Sequence, residues 1–435
     1  MIVNTFELIK EKLEALDCEA WELAETCEER WEFYFIRHRL DQNRAVNTRE
    51  YEVRVYKKSD DGQFIGSAAD RISPTASPED IDRVLEKLLY QAGLVKNPYY
   101  TITQKQETPE AASGSGTGVR EIAGDYIRTL AGIEESDTAY INSYEIFVSG
   151  IRRHFLNSNG AEYEFEYPSS EVEVVTNARD GSHEIELHRI YHSGTCDPER
   201  LKADIVKVMQ YGEDRLKAVP SPVNGRCSVL LSTSDAVPVY MYFADKMHAD
   251  YVFRRISDWK KGDPVQGSDA EGDLVTIEAV ADLPGSSTNY PADSEGSIIY
   301  DRYLVRDGIA QDYCGSRQFS QYLGLEKSSL ISNIKVSGGK LTEEELRAEA
   351  GEYLEIVEFS DFQVDSMSGD IAGEIRLGYW HHDGEVTVVT GGSVSGSMNE
   401  AVRDMRFCKE TVRYNNRVIP AVTLLKNMRI TGVSV

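Results

Sequence analysis

The dipeptide Asp180-Gly181 separates two runs that alternate apolar and polar residues, Glu171–Ala178 and His183–His192. Asp-Gly supplies the positive-φ positions of a two-residue turn, and a turn that tight joins antiparallel neighbours. Asp61-Gly62 leads into another strand-like run, and Asp383-Gly384 joins Glu374–Trp380 to Glu385–Thr390. Helices with their own punctuation interrupt these hairpins. Ser77 caps one, Pro78 takes its first helical position and Gly93 follows its end, with Ile81, Val84, Leu85, Leu88 and Ala92 forming the apolar stripe. Asn4 caps an earlier helix with the stripe Phe6, Ile9, Leu13 and Leu16, and Glu7 stands three residues on from the cap. Helices inserted among hairpins, without regular strand–helix–strand units, specify an α+β fold and not a doubly wound one.

The first 100 residues read as sheet plus two helices, with strands at Trp31–Arg39 and Glu50–Lys57. The Gly/Ser/Pro-rich stretch QKQETPEAASGSGTGV, residues 104–119, lacks apolar periodicity and reads as a linker. Strands follow near Ala139–Val148, Glu162–Tyr167 and Glu171–Ala178. A helix capped at Asp197-Pro198 then runs to about Val219. Arg226–Leu231 is a short buried strand, and Ser232 to about Arg255 reads as one helix. Beyond Asp258 the chain is mostly turns and strands, interrupted by a helix from Thr342 to about Ala350 whose capping box is Thr342 and Glu345. The expected division is an N-terminal α+β domain (1–103), a linker (104–119), a central sheet-plus-helix region (120–219) and a C-terminal β-rich domain around an antiparallel sheet (220–435).

Lys plus Arg number 47 and Asp plus Glu 73, a formal net charge of −26. That field repels phosphates, so neither nucleic acid nor an anionic membrane is expected as a partner. The run from Glu343 to Glu374 holds eleven acidic residues and one basic one, Arg347, and reads as a solvated face. No stretch has the length of a membrane span, and Met1–Leu16 lacks the pattern of a secretory signal. The six cysteines form no CxxC pair, which fits small core residues in a reducing cytoplasm. Nucleotide-binding glycine fingerprints and a GxSxG elbow are absent.

Several stretches taken in order, GLVKNPYYTI (93–102), EVEVVTNARDGSHEIELHRIYHSG (171–194), VLLSTSDAVPVYMYFADKMHADYVF (229–253), EGSIIYDRYLVRDGIAQDYCGSRQFSQYLG (295–324) and FSDFQVDSMSGDIAGEIRLGYWHHDGEV (359–386), closing with IPAVTLLKNMRITG (419–432), resemble the TldD/PmbA, or modulator-of-DNA-gyrase, family. The resemblance implies a two-domain α+β protein with a β-rich C-terminal domain, pairing of subunits, and proteolysis of small or unfolded peptides. It also implies that catalytic members carry HExxxH on the helix matched here by residues 234–255, with a cysteine from near the C-terminus as a further zinc ligand. Two histidines bind such a metal while the glutamate serves as general base toward metal-bound water.

This chain departs from that pattern. The matched positions are Phe243, Ala244 and His248, so the first imidazole and the base carboxylate are missing. The resemblance therefore points to the metal-less, PmbA/TldE-like branch, whose members pair with an HExxxH subunit. No cofactor is expected. An extended peptide can still add to a sheet edge through backbone hydrogen bonds. Two other readings stand beside this one. In the first, the chain is an active hydrolase with a divergent zinc site drawing on His248 and Cys408. In the second, it is a structural homodimer. Asp245 and Asp250 neighbour His248 without restoring the motif. His188 and His192 share a strand face with Glu184 and Glu186 and read, with His183, as a wet face. His381 and His382 point to opposite faces before a turn, and Cys314 reads as structural.

Overall fold

The computed structural model describes residues 4–106 and 118–433. The helices α1 (Thr5–Ala15) and α2 (Pro78–Ala92) form where their caps place them. The Asn4 side chain accepts the Phe6 N–H, and Ser77 and Asp80 close a capping box ahead of Pro78. Their stripes, Phe6, Ile9 and Leu13 on one and Ile81, Leu85 and Leu88 on the other, are buried together against Leu23, Val53 and Val55.

Those last residues belong to a seven-stranded antiparallel sheet made of β1 (Ala20–Ile36), β2 (Arg39–Lys58), β3 (Phe64–Ile72), β4 (Asn97–Pro98), β5 (Ala139–Asn157), β6 (Glu162–Asp180) and β7 (His183–Ser193), in the order β4-β3-β2-β1-β5-β6-β7. The expected division at 104–119 does not divide this sheet. β1 pairs with β5 from Glu22↔Asn157 to Ile36↔Ser143, so the segments on either side of the stretch are neighbours in one layer. Residues 107–117 of that stretch lie outside the described residues. The reason for the merger lies along β1. Trp21 and Leu23 at one end pack under α1 and α2, while Phe33 and Phe35 at the other pack under α3 (Val119–Ala131) and α4 (Pro198–Lys217). These four residues sit at odd positions, so one face of one strand serves helices from both segments.

Two strand boundaries differ from the sequence expectation, each for a local reason. The run Trp31–Arg39 contains a hairpin turn at Arg37-His38, where both residues have positive φ (47° and 61°) without glycine or asparagine to announce it. Glu162–Tyr167 and Glu171–Ala178 are one strand, β6, running through Pro168. Proline is tolerated there because β7 pairs with β6 only from Ser170 onward, which leaves the proline on an open edge. β2 is open in the same way, since β3 covers only Tyr51–Lys58 and Arg39–Glu50 keep a free outer edge among the described residues.

The C-terminal part holds two sheets where one was expected. A six-stranded sheet includes Ile277–Val280, Arg302–Arg306 and Asn333–Val336. In the other, Tyr353–Val364, Gly225–Ser232, Val422–Thr431, Ser393–Ser397 and Asp370–His382 close into a ring, because the first of these strands also pairs with the last. A closed ring leaves none of its members as a sheet edge along the paired length. The largest apolar core fills the space between these sheets, and helix α5 (Thr233–Lys246) runs through it with Ala236, Val239, Tyr240, Phe243 and Ala244 buried. No helix among the described residues is long and apolar enough to cross a membrane.

The face of the seven-stranded sheet away from the helices packs on the C-terminal part through Ala24, Phe155, Tyr163 and Ala292. Beside that contact Glu22 accepts the Tyr56 hydroxyl at 3.0 Å and lies 3.5 Å from Arg54 Nε. Burial pushes the Glu22 carboxyl up to about 8, with Glu295 and Asp293 adding to the rise and Arg54 opposing it. A carboxyl raised in the folded state contributes stability below the unfolded value of 4.5 that is lost as pH climbs through about 8. Glu22→Gln removes that loss. The variant is expected to match the parent in urea unfolding near pH 4.5 and to exceed it at pH 9 by roughly 2–4 kcal/mol. Parallel stability curves for the two proteins across that interval would contradict the assignment.

Candidate functional site

Helix α5 starts after Ser232, whose hydroxyl donates to Asp235 Oδ2 at 2.6 Å, and the C-terminal half of α5 carries the positions matched to the metal motif. Phe243 is 0% exposed and Ala244 1%. The Phe243 ring meets Tyr242 edge-on at 5.7 Å and Trp259 at 5.8 Å. Both residues serve the core, and neither faces a cavity from which water or substrate is reached.

The helix expected over 234–255 is broken. α5 ends at Lys246, His248 adopts an extended conformation (φ −78°, ψ 131°), and α6 (Ala249–Phe253) starts beyond it. Backbone competition explains the break. The Met247 carbonyl accepts the Cys314 N–H at 3.1 Å and the Ala249 N–H donates to the Cys314 carbonyl at 2.7 Å, so a loop strand takes groups that a continuous helix would pair internally. The approach needs glycine at Gly315, where φ is +150° and a Cβ would lie 2.9 Å from the Ala249 Cβ. Neither Pro nor Gly stands at 246–249, so the sequence carries no local mark of the break.

The His248 side chain is partly exposed, and its Nδ1 is hydrogen-bonded to Asp250 Oδ1. Asp245 accepts the Ser366 hydroxyl at 2.7 Å, and burial holds its carboxyl above the usual range. Cys408 lies in a separate apolar cluster with Leu230, Leu346, Tyr353, Val422 and Leu424. Its thiol donates to the Glu410 carbonyl at 3.2 Å, and its sulfur accepts the Val422 N–H at 3.3 Å. Among the described residues no group of three His, Cys, Asp or Glu is placed to hold a metal. A catalytic zinc takes about three protein ligands and keeps a water position open. One imidazole, a carboxylate already bonded to it and a remote thiol occupied by backbone groups do not fit that requirement.

The other histidines and Cys314 pair or pack locally. His188 Nε2 lies 3.0 Å from Glu173, and His192 Nδ1 lies 3.4 Å from Glu171, both across the β6–β7 pair. His183 begins β7 at the turn. His381 stacks on Tyr353 at 4.3 Å and His382 on Trp380 at 5.5 Å, so the two diverge as strand alternation requires. Cys314 is fully buried, and burial pushes its thiol up to about 12, far from a reactive thiolate. Sequence reading missed a second place, the cleft at the other end of α5, where Asp235, Arg189 from β7 and Lys207 from α4 converge on one cavity. Ser232 and Asp235 read locally as a helix start, and nothing in the sequence brings α4 or β7 beside them.

Residues 224–432 match the family model described as the PmbA/TldA metallopeptidase C-terminal domain. A relative described as metalloprotease PmbA, from Escherichia coli O157:H7, is 25% identical over 164 residues. That match covers 37% of this chain and spans only 36% of the relative's own length. Solved structures share the whole fold. TldE from Thermococcus kodakarensis aligns with a TM-score of 0.77 at 16% identity, covering 99% of each chain. A candidate modulator of DNA gyrase from Thermotoga maritima aligns at 0.76 with 17% identity, covering 98% of this chain and 100% of its own. Another, from Bacteroides thetaiotaomicron, aligns at 0.77 with 13% identity over 100% of both chains. At such identities these structures speak for the fold alone. The C-terminal part is a metallopeptidase-related domain, and the positions that the sequence resemblance matches to the metal motif carry core side chains. Residues 224–432 belong to the TldD/PmbA family.

Writing the motif back into α5 tests how far the site has been given over to packing. The double substitution Phe243→His, Ala244→Glu places an imidazole and a carboxyl where the present side chains are sealed from solvent. It is expected to cost at least about 3 kcal/mol in urea unfolding and to bind no stoichiometric zinc. A variant as stable as its parent that takes up one zinc would show that the site is only two side chains from function.

Proposed function

We propose that this chain is a metal-less, catalytically silent subunit of the TldD/PmbA type. It pairs with a family member that carries HExxxH and contributes binding of small or unfolded peptides to a joint proteolytic assembly. The observation that carries this reading is the fate of α5, where the residues at the imidazole and base positions are Phe243 and Ala244, both sealed in the core. Ala244 has no group to accept a proton from water, and Phe243 has no lone pair for a metal. The likeness to a chain described as TldE supports the fold half of the reading. The reducing cytoplasm is the compartment proposed, and six free thiols are compatible with it.

The test is co-expression with an HExxxH-bearing homologue, followed by metal analysis, sedimentation and cleavage of an unfolded peptide. Alone, the chain is expected to carry no stoichiometric zinc and to leave the peptide intact. With the homologue it is expected to co-purify as a hetero-assembly that cleaves. Stoichiometric zinc on the isolated chain, with cleavage abolished by His248→Ala, would establish an active hydrolase instead. A stable homodimer that ignores both the homologue and the peptide would leave only a structural role.

A further inference from the structure

The cleft at the N-terminal end of α5 has a volume of about 680 Å³ and is walled by β7, α4, α5, the helix Glu343–Ala350 and the strand Tyr353–Val364. That size is ordinary for a small-molecule site. Most of its charges are already neutralised. Arg347 holds Glu355 at 2.7 Å and Glu343 at 2.9 Å, and Arg189 is paired with Glu358. Arg200 and Asp204 form a looser pair at 3.7 Å.

Two opposite charges on the same walls lack such a partner among the described residues. Asp235 bonds only the Ser232 hydroxyl, at 2.6 Å, and has no cation within ion-pair distance. Lys207, on α4, has no carboxylate within that distance; the centre of the Tyr211 ring lies 5.6 Å away, and Tyr211, Glu355 and Glu343 favour its charged form without an ion pair. Burial pushes the Asp235 carboxyl up to about 6, and the fields of Arg189 and Lys207 oppose that rise. A half-buried carboxylate that lines a cavity is stabilised when a cation approaches it. The same cavity is lined by aromatic rings, Tyr414 and the Phe359–Phe362 pair, whose rings lie 4.7 Å apart.

The geometry points to a binding site for a small zwitterion, an α-amino acid or a very short peptide, with its ammonium on Asp235, its carboxylate on Lys207 and an apolar side chain against the aromatic wall. A purely anionic ligand would meet the repulsion of a chain with net charge −26, and a purely cationic one would leave Lys207 without a role. A molecule with both charges satisfies both residues and is neutral to the overall field. The site lies at the opposite end of α5 from Phe243 and Ala244. It deepens the binding half of the proposed function and rests on that reading only for its biological use.

Calorimetric titration of the full chain with leucyl-leucine, free leucine, N-acetyl-leucyl-leucine and leucyl-leucinamide tests the assignment. Saturable binding is expected for a probe with both termini free, weakened at least tenfold when either terminus is blocked. Asp235→Asn is expected to abolish discrimination against the acetylated probe while keeping discrimination against the amide. Lys207→Met is expected to do the reverse. A misfolded variant would lose both together, so the crossed pattern separates recognition from damage. Equal affinity for blocked and free probes, or no saturable binding at millimolar concentration, would overturn the site. Because the isolated chain is used, that failure would leave subunit pairing untouched, and a failure to recruit an HExxxH partner would leave this binding result standing.

Discussion

The packing of α5 between the two C-terminal sheets is the contact on which the rest of the C-terminal part rests. Its buried face joins Phe243 to Trp259 and Tyr242, and Tyr240 to Phe407 and Thr423, so both sheets are referred to one rod. A helix that fills a core in this way has no freedom to present the same face to a metal and to water. Aromatic and methyl side chains at Phe243 and Ala244 suit that duty, and a polar pair there would leave groups without partners. The burial of Phe243 and Ala244 and the tightness of this core are one fact seen from two sides.

Much of the architecture was legible where the signal is local. The caps at Asn4, Ser77, Asp197 and Thr342 placed their helices to within a residue or two, because a cap is a contact between residues two or three positions apart. The Asp180-Gly181 and Asp383-Gly384 turns likewise joined the strands they announced. Features that depend on distant segments were not legible. The union of β1 with β5 is set by an apolar face shared across more than a hundred residues, and low-complexity sequence between them read as a boundary. The break at His248 is imposed by the backbone of Cys314, which no pattern around residue 248 discloses. The cleft charges Asp235 and Lys207 were invisible for the same reason, since each fits its own helix as an unremarkable polar residue.

Charge is distributed so that the molecule keeps its strongly acidic balance outside while most of the cleft is internally neutral. Arg347, the single basic residue in the acidic run Glu343–Glu374, is spent on Glu343 and Glu355 at the cleft wall. That arrangement orders a side of the cavity without adding net charge to it. The acidic run read as a solvated face is therefore divided, because Glu355 and Glu358 turn into the cleft and pair with Arg347 and Arg189.

The open stretch of β2 has a consequence for how the protein behaves when concentrated. Arg39–Glu50 present about 40 Å of backbone donors and acceptors with no neighbouring strand among the described residues, the kind of margin that templates runaway association of like molecules. Arg39, Asp41, Arg44, Arg49 and Glu50 line that margin with full charges, and two copies brought together there in register would have to desolvate them. The margin is thereby kept in solution by hydration, and fibre growth from it is disfavoured for as long as those side chains stay ionised.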